Sequence, residues 1–280
     1  MRKTAIVTDS VATVPAELAQ RYDIGIVPLQ VIFGLETFLD GIDMTPAEFY
    51  RRLTKARVLP KTSTPPVGEF VAVYAAAARR AEAVVAIHLA ASLSVTVTAA
   101  HQAAALIDTP VHVLDCGTAA AAQGLIILAA ARAAEAGAEA EEVLATARKV
   151  MDRIHLLVML DTLHYLRKGG RIGGAQAWLG MALRFKPIVS LANGRVVPVE
   201  RPRTRPRGVA RLVELMAEAT KGHPVHVAVT HAEALTEAEA LRDRIAAQFD
   251  CRELITTEFT PVMGAHTGPG VLGIAFWAED

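Results

Sequence analysis

The chain has 280 residues, 52% of them hydrophobic, with 29 lysines plus arginines against 29 aspartates plus glutamates. That length suits two domains with a sizeable core, and the balanced charge argues against nucleic-acid binding, which ordinarily brings a basic excess. The longest apolar stretch, near LIILAAARAA, meets Arg132 too early to span a bilayer, and MRKTAIVTDS contains no signal-peptide apolar region, so a soluble cytoplasmic protein is expected. The two cysteines, Cys116 and Cys251, are too few and too far apart for a disulfide framework or a zinc site. Both read as small core residues.

Strands and helices alternate through the first half. TAIVTDS is a short apolar run that reads as a strand, and TVPAELAQRY follows as a helix with Thr13 as its cap and Pro15 in its first turn. IGIVPLQVIF reads as one further strand. DMTPAEFYRRL begins a helix, with Thr45 as cap, Pro46 at the first helical position and Glu48 closing a capping box. PVGEFVAVYAAAARRA is helical by period, AVVAIHL is a strand, SVTVTAAHQAAALI a helix and VHVLDC a strand. Strands separated by helices of this length predict a parallel sheet covered on both faces.

Two alanine-rich helices are expected around 118–136 and 139–153. The pattern then changes. HLLVMLD is a strand, and LRKGGRIGGAQAWLGMALRF reads as a glycine-punctuated helical connection. KPIVSLANGRVVPVE is a hairpin turning at Asn193-Gly194, because that dipeptide tolerates the positive φ values a two-residue turn demands. A helix near 205–220, the strand VHVAVTH, a helix near 236–248, and the strands LITTEFTP and VLGIAFW complete the chain. More strands per helix here predict a mixed sheet. The expected architecture is therefore α/β in two domains: a parallel-sheet domain over 1–153 and a mixed-sheet domain over 154–280.

Five places are candidates for chemistry. Asp9 and Ser10 end the first strand, where ligands of parallel sheets gather. Thr62, Ser63 and Thr64 offer three hydroxyls in the proline-bounded PKTSTPP. Ser92 and Ser94 precede a helix whose N-terminus suits an anion. LRKGGRIGG and ERPRTRPRG are basic, and in an extended chain Arg201, Arg203, Arg205 and Arg207 would share one side. His266 stands among Gly264, Gly268 and Gly270 in what reads as a tightly bending loop, PVMGAHTGPGVLGIAF. There is no G-x-S-x-G elbow, no phosphate-binding G-x-x-x-x-G-K-[ST] and no H-E-x-x-H or clustered metal spacing. Hydroxyls with a histidine but no orienting third group make a poor triad. They make a good cradle for a carboxylate, which only accepts hydrogen bonds.

The segments IVTDS, KTSTPP, SLSVT, LRKGGRIGGAQAWLG, KPIVSL, PRTRPRG and AHTGPG, in this order and over essentially the whole chain, resemble the DegV family. These are bacterial fatty-acid-binding proteins, including the acyl-carrier subunits of fatty acid kinase. The resemblance implies a two-domain α/β protein with one long-chain fatty acid between the domains, no catalysis of its own, and no metal or cofactor beyond that ligand. It implies that the carboxylate is held by Thr62, Ser94 and His266, with Arg171 and Arg203 at the rim and the partner-docking surface. The implied partner is a separate fatty acid kinase catalytic subunit that makes the acyl phosphate for phospholipid synthesis, with transient contact to a membrane surface. A buried tail of about 14 methylenes would contribute on the order of 10 kcal/mol at ~0.8 each, much of it offset by ordering and association.

The chain departs from the family at Ala90 and Ala91, where serines are usual, at Val95, where glycine is usual, and at Cys116, where serine is common. Lost hydroxyls thin the expected carboxylate network, and Val95 adds bulk beside it. Two other readings compete: an esterase using Ser94 and His266 or a small-molecule phosphotransferase, and a DNA-associated regulator using the arginine segment. The missing elbow and phosphate loop weigh against the first. Balanced charge weighs against the second.

Overall fold

The computed structural model of the protein describes residues 1–179 and 185–280. Its first half contains β1 (Arg2–Asp9), α1 (Ala16–Tyr22), β2 (Gly25–Val27), β3 (Gln30–Phe33), β4 (Glu36–Leu39), α2 (Pro46–Leu53), β5 (Lys61–Ser63), α3 (Val67–Ala78), β6 (Ala81–His88), α4 (Thr96–Ala104), β7 (Val111–Asp115), α5 (Ala120–Glu135) and α6 (Ala140–Met151). A four-stranded sheet of order β2-β1-β6-β7 is wholly parallel. Successive strand residues face opposite ways. Ala5, Val7, Val84 and Ala86 thus pack on α3 and α4, while Ile6, Val85 and Ile87 pack on α5 and α6. Burial on both faces is why these strands read as continuous apolar runs.

The second half contains β8 (His155–Met159), α7 (His164–Lys168), β9 (Ile188–Ala192), β10 (Arg195–Glu200), α8 (Arg205–Thr220), β11 (Val225–His231), α9 (Leu235–Gln248), β12 (Cys251–Glu258), α10 (Pro261–Thr267) and β13 (Leu272–Ala278). They build a six-stranded mixed sheet of order β10-β9-β8-β13-β11-β12 in which β11 and β12 are the parallel pair. Helices α8 and α9 cover one face. The other face turns to α5, which packs on β1 of the first sheet and on β11 and β13 of the second. A helix pressed between two sheets must be apolar all round, and α5 is buried from Ala120 through Ala131.

A third sheet, of order β4-β3-β5 and antiparallel, was not expected. The run IGIVPLQVIF is two strands in different sheets, because Pro28-Leu29 interrupts it: β2 joins the parallel sheet and β3 the small one. Thr13 caps nothing at the start of α1. It ends a short 3-10 turn in a left-handed conformation, and Pro15 occupies the cap position. Thr45 does cap α2, accepting from Glu48 N at 3.2 Å, but the Glu48 side chain turns to Arg52 instead of closing the box. The arginine alternation is broken because Thr204 caps α8 and the helix begins at Arg205. Arg205 pairs with Asp161 and Glu237, and Arg207 with Glu214. The hairpin turns as expected, with φ of 49° at Asn193 and 70° at Gly194. Cys116 is buried, whereas Cys251 is only half-buried at the start of β12. Residues 180–184 of the predicted helical connection lie outside the described residues. No helix among the described residues is long and apolar enough to cross a membrane.

Candidate functional site

A cavity of about 460 Å³ lies between the parallel and mixed sheets, within the roughly 300–1,000 Å³ of small-molecule sites. Most of its wall is apolar: Val11 and Leu29 from the first half, Leu156, Val158 and Val189 from the mixed sheet, Phe259 just before α10 and Val262 in its first turn. Of the alanines of α5, Ala120 at its start reaches the wall, with Ala119 just before it. The remainder serve helix packing.

The polar end is assembled from separate segments. Strand β5 brings Thr62, and two residues on, facing the same way, Thr64. Helix α10 brings His266 in its last turn. The histidine is therefore on a helix, not in the loop the sequence implied. Pro261 starts this helix, and Gly268 (φ 75°) ends it. Gly264 is needed for contact rather than bending, because a Cβ there would lie 2.6 Å from Phe49 Cε1 of α2. Thr62 Oγ1 and His266 Nε2 are 2.8 Å apart. The other ring nitrogen, Nδ1, is buried without a partner and faces Gly169, where a Cβ would approach to 2.4 Å. Burial, and secondarily the charge of Arg171, push the His266 pKa down to about 4. The ring is neutral at neutral pH and carries one N–H.

Ser94 belongs to a triangle of hydroxyls. Its Oγ is 2.8 Å from Thr96 Oγ1 and 3.0 Å from Thr64 Oγ1, and the two threonines are 3.2 Å apart. It also accepts from Thr96 N at the start of α4 at 3.3 Å. Ser92 instead donates to Gly194 O at 2.7 Å, joining the β9–β10 turn to the loop after β6. Arg171 lines the cavity. Its Nε and Nη2 donate to Leu93 O at 3.2 and 3.0 Å, and its Nη1 donates to Gly169 O at 2.8 Å. Half-buried in the wall, it is not the exposed rim residue expected of it. Arg203 is exposed and does not line the cavity.

Asp9 and Ser10 belong elsewhere. Asp9 is buried, pairs with His88 Nδ1 at 2.9 Å and accepts from Leu89 N at 3.0 Å, whereas Ser10 Oγ accepts from Leu29 N at 3.1 Å. Both hold the end of the parallel sheet together. Ala90 is buried outside the cavity wall, Ala91 lines it without a hydroxyl, and Val95 is 69% exposed at its rim.

Thr96 was missed as a member of the polar group, and Thr64, one of the three hydroxyls offered in PKTSTPP, was not assigned to the carboxylate. The T-x-T spacing of a strand was the signal for Thr64. Chemically, Ser94 bonds to threonines and is not paired with His266; the hydroxyl–imidazole pair is Thr62 with His266, and among the described residues no third group bonds His266 Nδ1 to orient it as in a triad. Among the described residues no group of His, Cys, Asp and Glu fits a metal ion. Hydroxyl donors, one imidazole N–H and a guanidinium in the wall of a mostly apolar cavity match an anionic headgroup on a hydrocarbon tail.

Fold and site together define a two-domain α/β protein with a mostly apolar cavity that also presents hydroxyls, an imidazole and a guanidinium. A profile of the family described as "Uncharacterised protein, DegV family" matches residues 3–279, and the chain belongs to that family. It is 36% identical over 275 residues to Protein DegV of Bacillus subtilis, covering 97% of this chain and 98% of that one. A DegV domain-containing protein of Streptomyces coelicolor is 41% identical over 275 residues, covering 98% of both chains. Among solved structures, a DegV family protein from Thermus thermophilus, described by its fatty acid binding, superposes with a TM-score of 0.94 at 30% identity over 100% of both chains. DegV of Bacillus subtilis, described as a fatty acid binding protein, does so at 0.90 and 34%, again over 100% of both.

Proposed function

We propose that this protein binds one long-chain fatty acid between domains spanning residues 1–153 and 154–280. Thr62, Ser94 and His266 hold the carboxylate, and the tail runs along the aliphatic wall. The protein then presents the headgroup, in the cytoplasm, to a separate fatty acid kinase that forms the acyl phosphate. It performs no chemistry itself. The carrying observation is the 460 Å³ cavity, whose mostly apolar wall includes Thr62, Ser94, Arg171 and His266. The fatty-acid-binding relatives of the same family support the same ligand class. Arg171, from within the wall, adds positive charge near the headgroup. Exposed Arg203 serves docking of the kinase or transient contact with a membrane surface.

Mass spectrometry of the purified protein under native and then denaturing conditions tests the reading. A co-purifying or exchangeable fatty acid is expected. A protein that neither retains nor takes up fatty acid, yet hydrolyses acyl esters in a way that Ser94→Ala and His266→Ala both abolish, would replace it with the esterase.

A further inference from the structure

Asp40 is a carboxylate with no task in the site as described so far. It follows β4, is 3% exposed, and is anchored to the small sheet by its own N–H, which donates to Leu29 O at 2.8 Å. Its Oδ1 accepts from Val262 N, in the first turn of α10, at 3.0 Å. Its Oδ2 has no hydrogen-bond partner among the described residues, although the hydroxyls of Ser10 and Thr260 lie beside the carboxylate. Among the described residues no cation pairs with it. The charged neighbour acting on it is Asp9, of the same sign, and burial raises its pKa. An isolated buried carboxylate is costly, and a salt bridge does not explain this one.

The placement of its bond does. The small sheet supplies Thr62 and α10 supplies His266. Among the described residues two hydrogen bonds join these elements, Thr62 to His266 and Asp40 to Val262. One lies in the last turn of α10 and the other in its first. Two fixed points determine where a short helix lies along a sheet, and only Asp40 remains once a ligand competes for the Thr62–His266 pair.

We infer that Asp40 is a positioning residue for the fatty-acid headgroup: by holding Val262 N it fixes α10 against the three-stranded sheet and so sets His266 relative to Thr62. The inference rests on the proposed ligand, but its test does not rest on that ligand alone.

Three variants separate position from charge. Asp40→Asn keeps an acceptor at the same place without the charge. Asp40→Glu keeps the charge and moves the acceptor one methylene outward. Asp40→Ala removes the acceptor. Each is measured for oleate affinity, and the His266 ring signals are followed by NMR in the lipid-free protein, with circular dichroism to establish folding. Loss of a charge-assisted bond corresponds to about tenfold to a hundredfold in an equilibrium constant, so Asp40→Ala is expected to bind at least about tenfold more weakly with displaced His266 signals. Asp40→Glu follows in the same direction, and Asp40→Asn stays within about threefold of the native protein. If Asp40→Ala does not fold, the Asn and Glu pair decides alone. Native-like affinity and His266 signals in Asp40→Glu, or losses in Asp40→Asn as large as in Asp40→Glu, overturn the inference. If the native protein binds no oleate, the functional reading fails, while the His266 signals still decide the role of Asp40.

Discussion

The position of His266 can be perturbed from behind, through Gly169, without altering any group that faces the cavity. Gly169 ends α7 with φ −78° and ψ −3°, a conformation alanine adopts without strain. Its missing Cβ would nevertheless lie 2.4 Å from His266 Nδ1 and 3.1 Å from Cε1. In Gly169→Ala the imidazole must rotate or retreat, and either motion breaks the 2.8 Å contact with Thr62. Overpacking of this kind costs about 1–3 kcal/mol, partly offset by up to about 1 kcal/mol from alanine's advantage in helical backbone. We expect a net loss of about 1–2 kcal/mol in the native background. In a His266→Ala background the loss disappears or becomes a small gain, because the 3.1 Å approach to Tyr165 O remains but the ring does not. The coupling of about 1–3 kcal/mol is within the range of contacting residues. Urea unfolding of the four lipid-free proteins measures it, and oleate titration of the single variant should show weaker binding. Equal destabilisation by Gly169→Ala in both backgrounds would refute the packing argument.

Thr62→Ala, Ser94→Ala and His266→Ala should each weaken fatty-acid binding by about 1.5–3 kcal/mol without unfolding the protein; unchanged lipid occupancy and exchange in all three would remove them from the site. The His266 pKa is pushed down to about 4 from an ordinary 6.5, so below pH 6.5 the unfolded chain takes up a proton that the lipid-free fold refuses. Stability present above pH 6.5 is therefore lost as the pH falls towards 4, by up to about 3 kcal/mol, and His266→Gln should flatten that part of a pH–stability curve. Arg203→Ala should leave lipid occupancy intact and lower kinase-dependent acyl-phosphate formation, a defect that added salt reproduces in the native protein. Arg171→Ala should lower occupancy itself, since its guanidinium is in the wall, and phosphorylation measured per bound lipid tells the two arginines apart.

The parallel sheet was legible because burial on both faces leaves apolar runs such as AIVTD and VVAIH between helices of clear period. The hairpin was legible because Asn193-Gly194 states its own turn. The small sheet was not. Strand β5 is three residues between prolines, two of them hydroxylic, and β4 buries none of its residues fully. Its strands are defined by each other, not by a hydrophobic period. The same reason hid the setting of His266. A seven-residue helix carrying a proline and a glycine has too little periodicity to be seen, and its first turn is tied to Asp40, 222 positions away. Thr62, Ser94 and His266 entered through family resemblance, and the structure brings all three to one cavity. Arg171 looked exposed because glycines surround it in sequence. The carbonyls that draw it inward, at Leu93 and Gly169, leave no trace in side-chain patterns.

The loop after β6 carries two cross-molecular ties, from Ser92 to the β9–β10 turn and from Leu93 to Arg171. Immediately beyond them Ser94 points into the hydroxyl triangle, and Val95 stands 69% exposed at the rim. One peptide unit separates a hydroxyl that lines the cavity from a methyl pair that meets solvent. The cavity lining and the outer surface are thus contiguous along the chain at this point, and a substitution at Val95 changes the entrance without removing a hydroxyl from the interior.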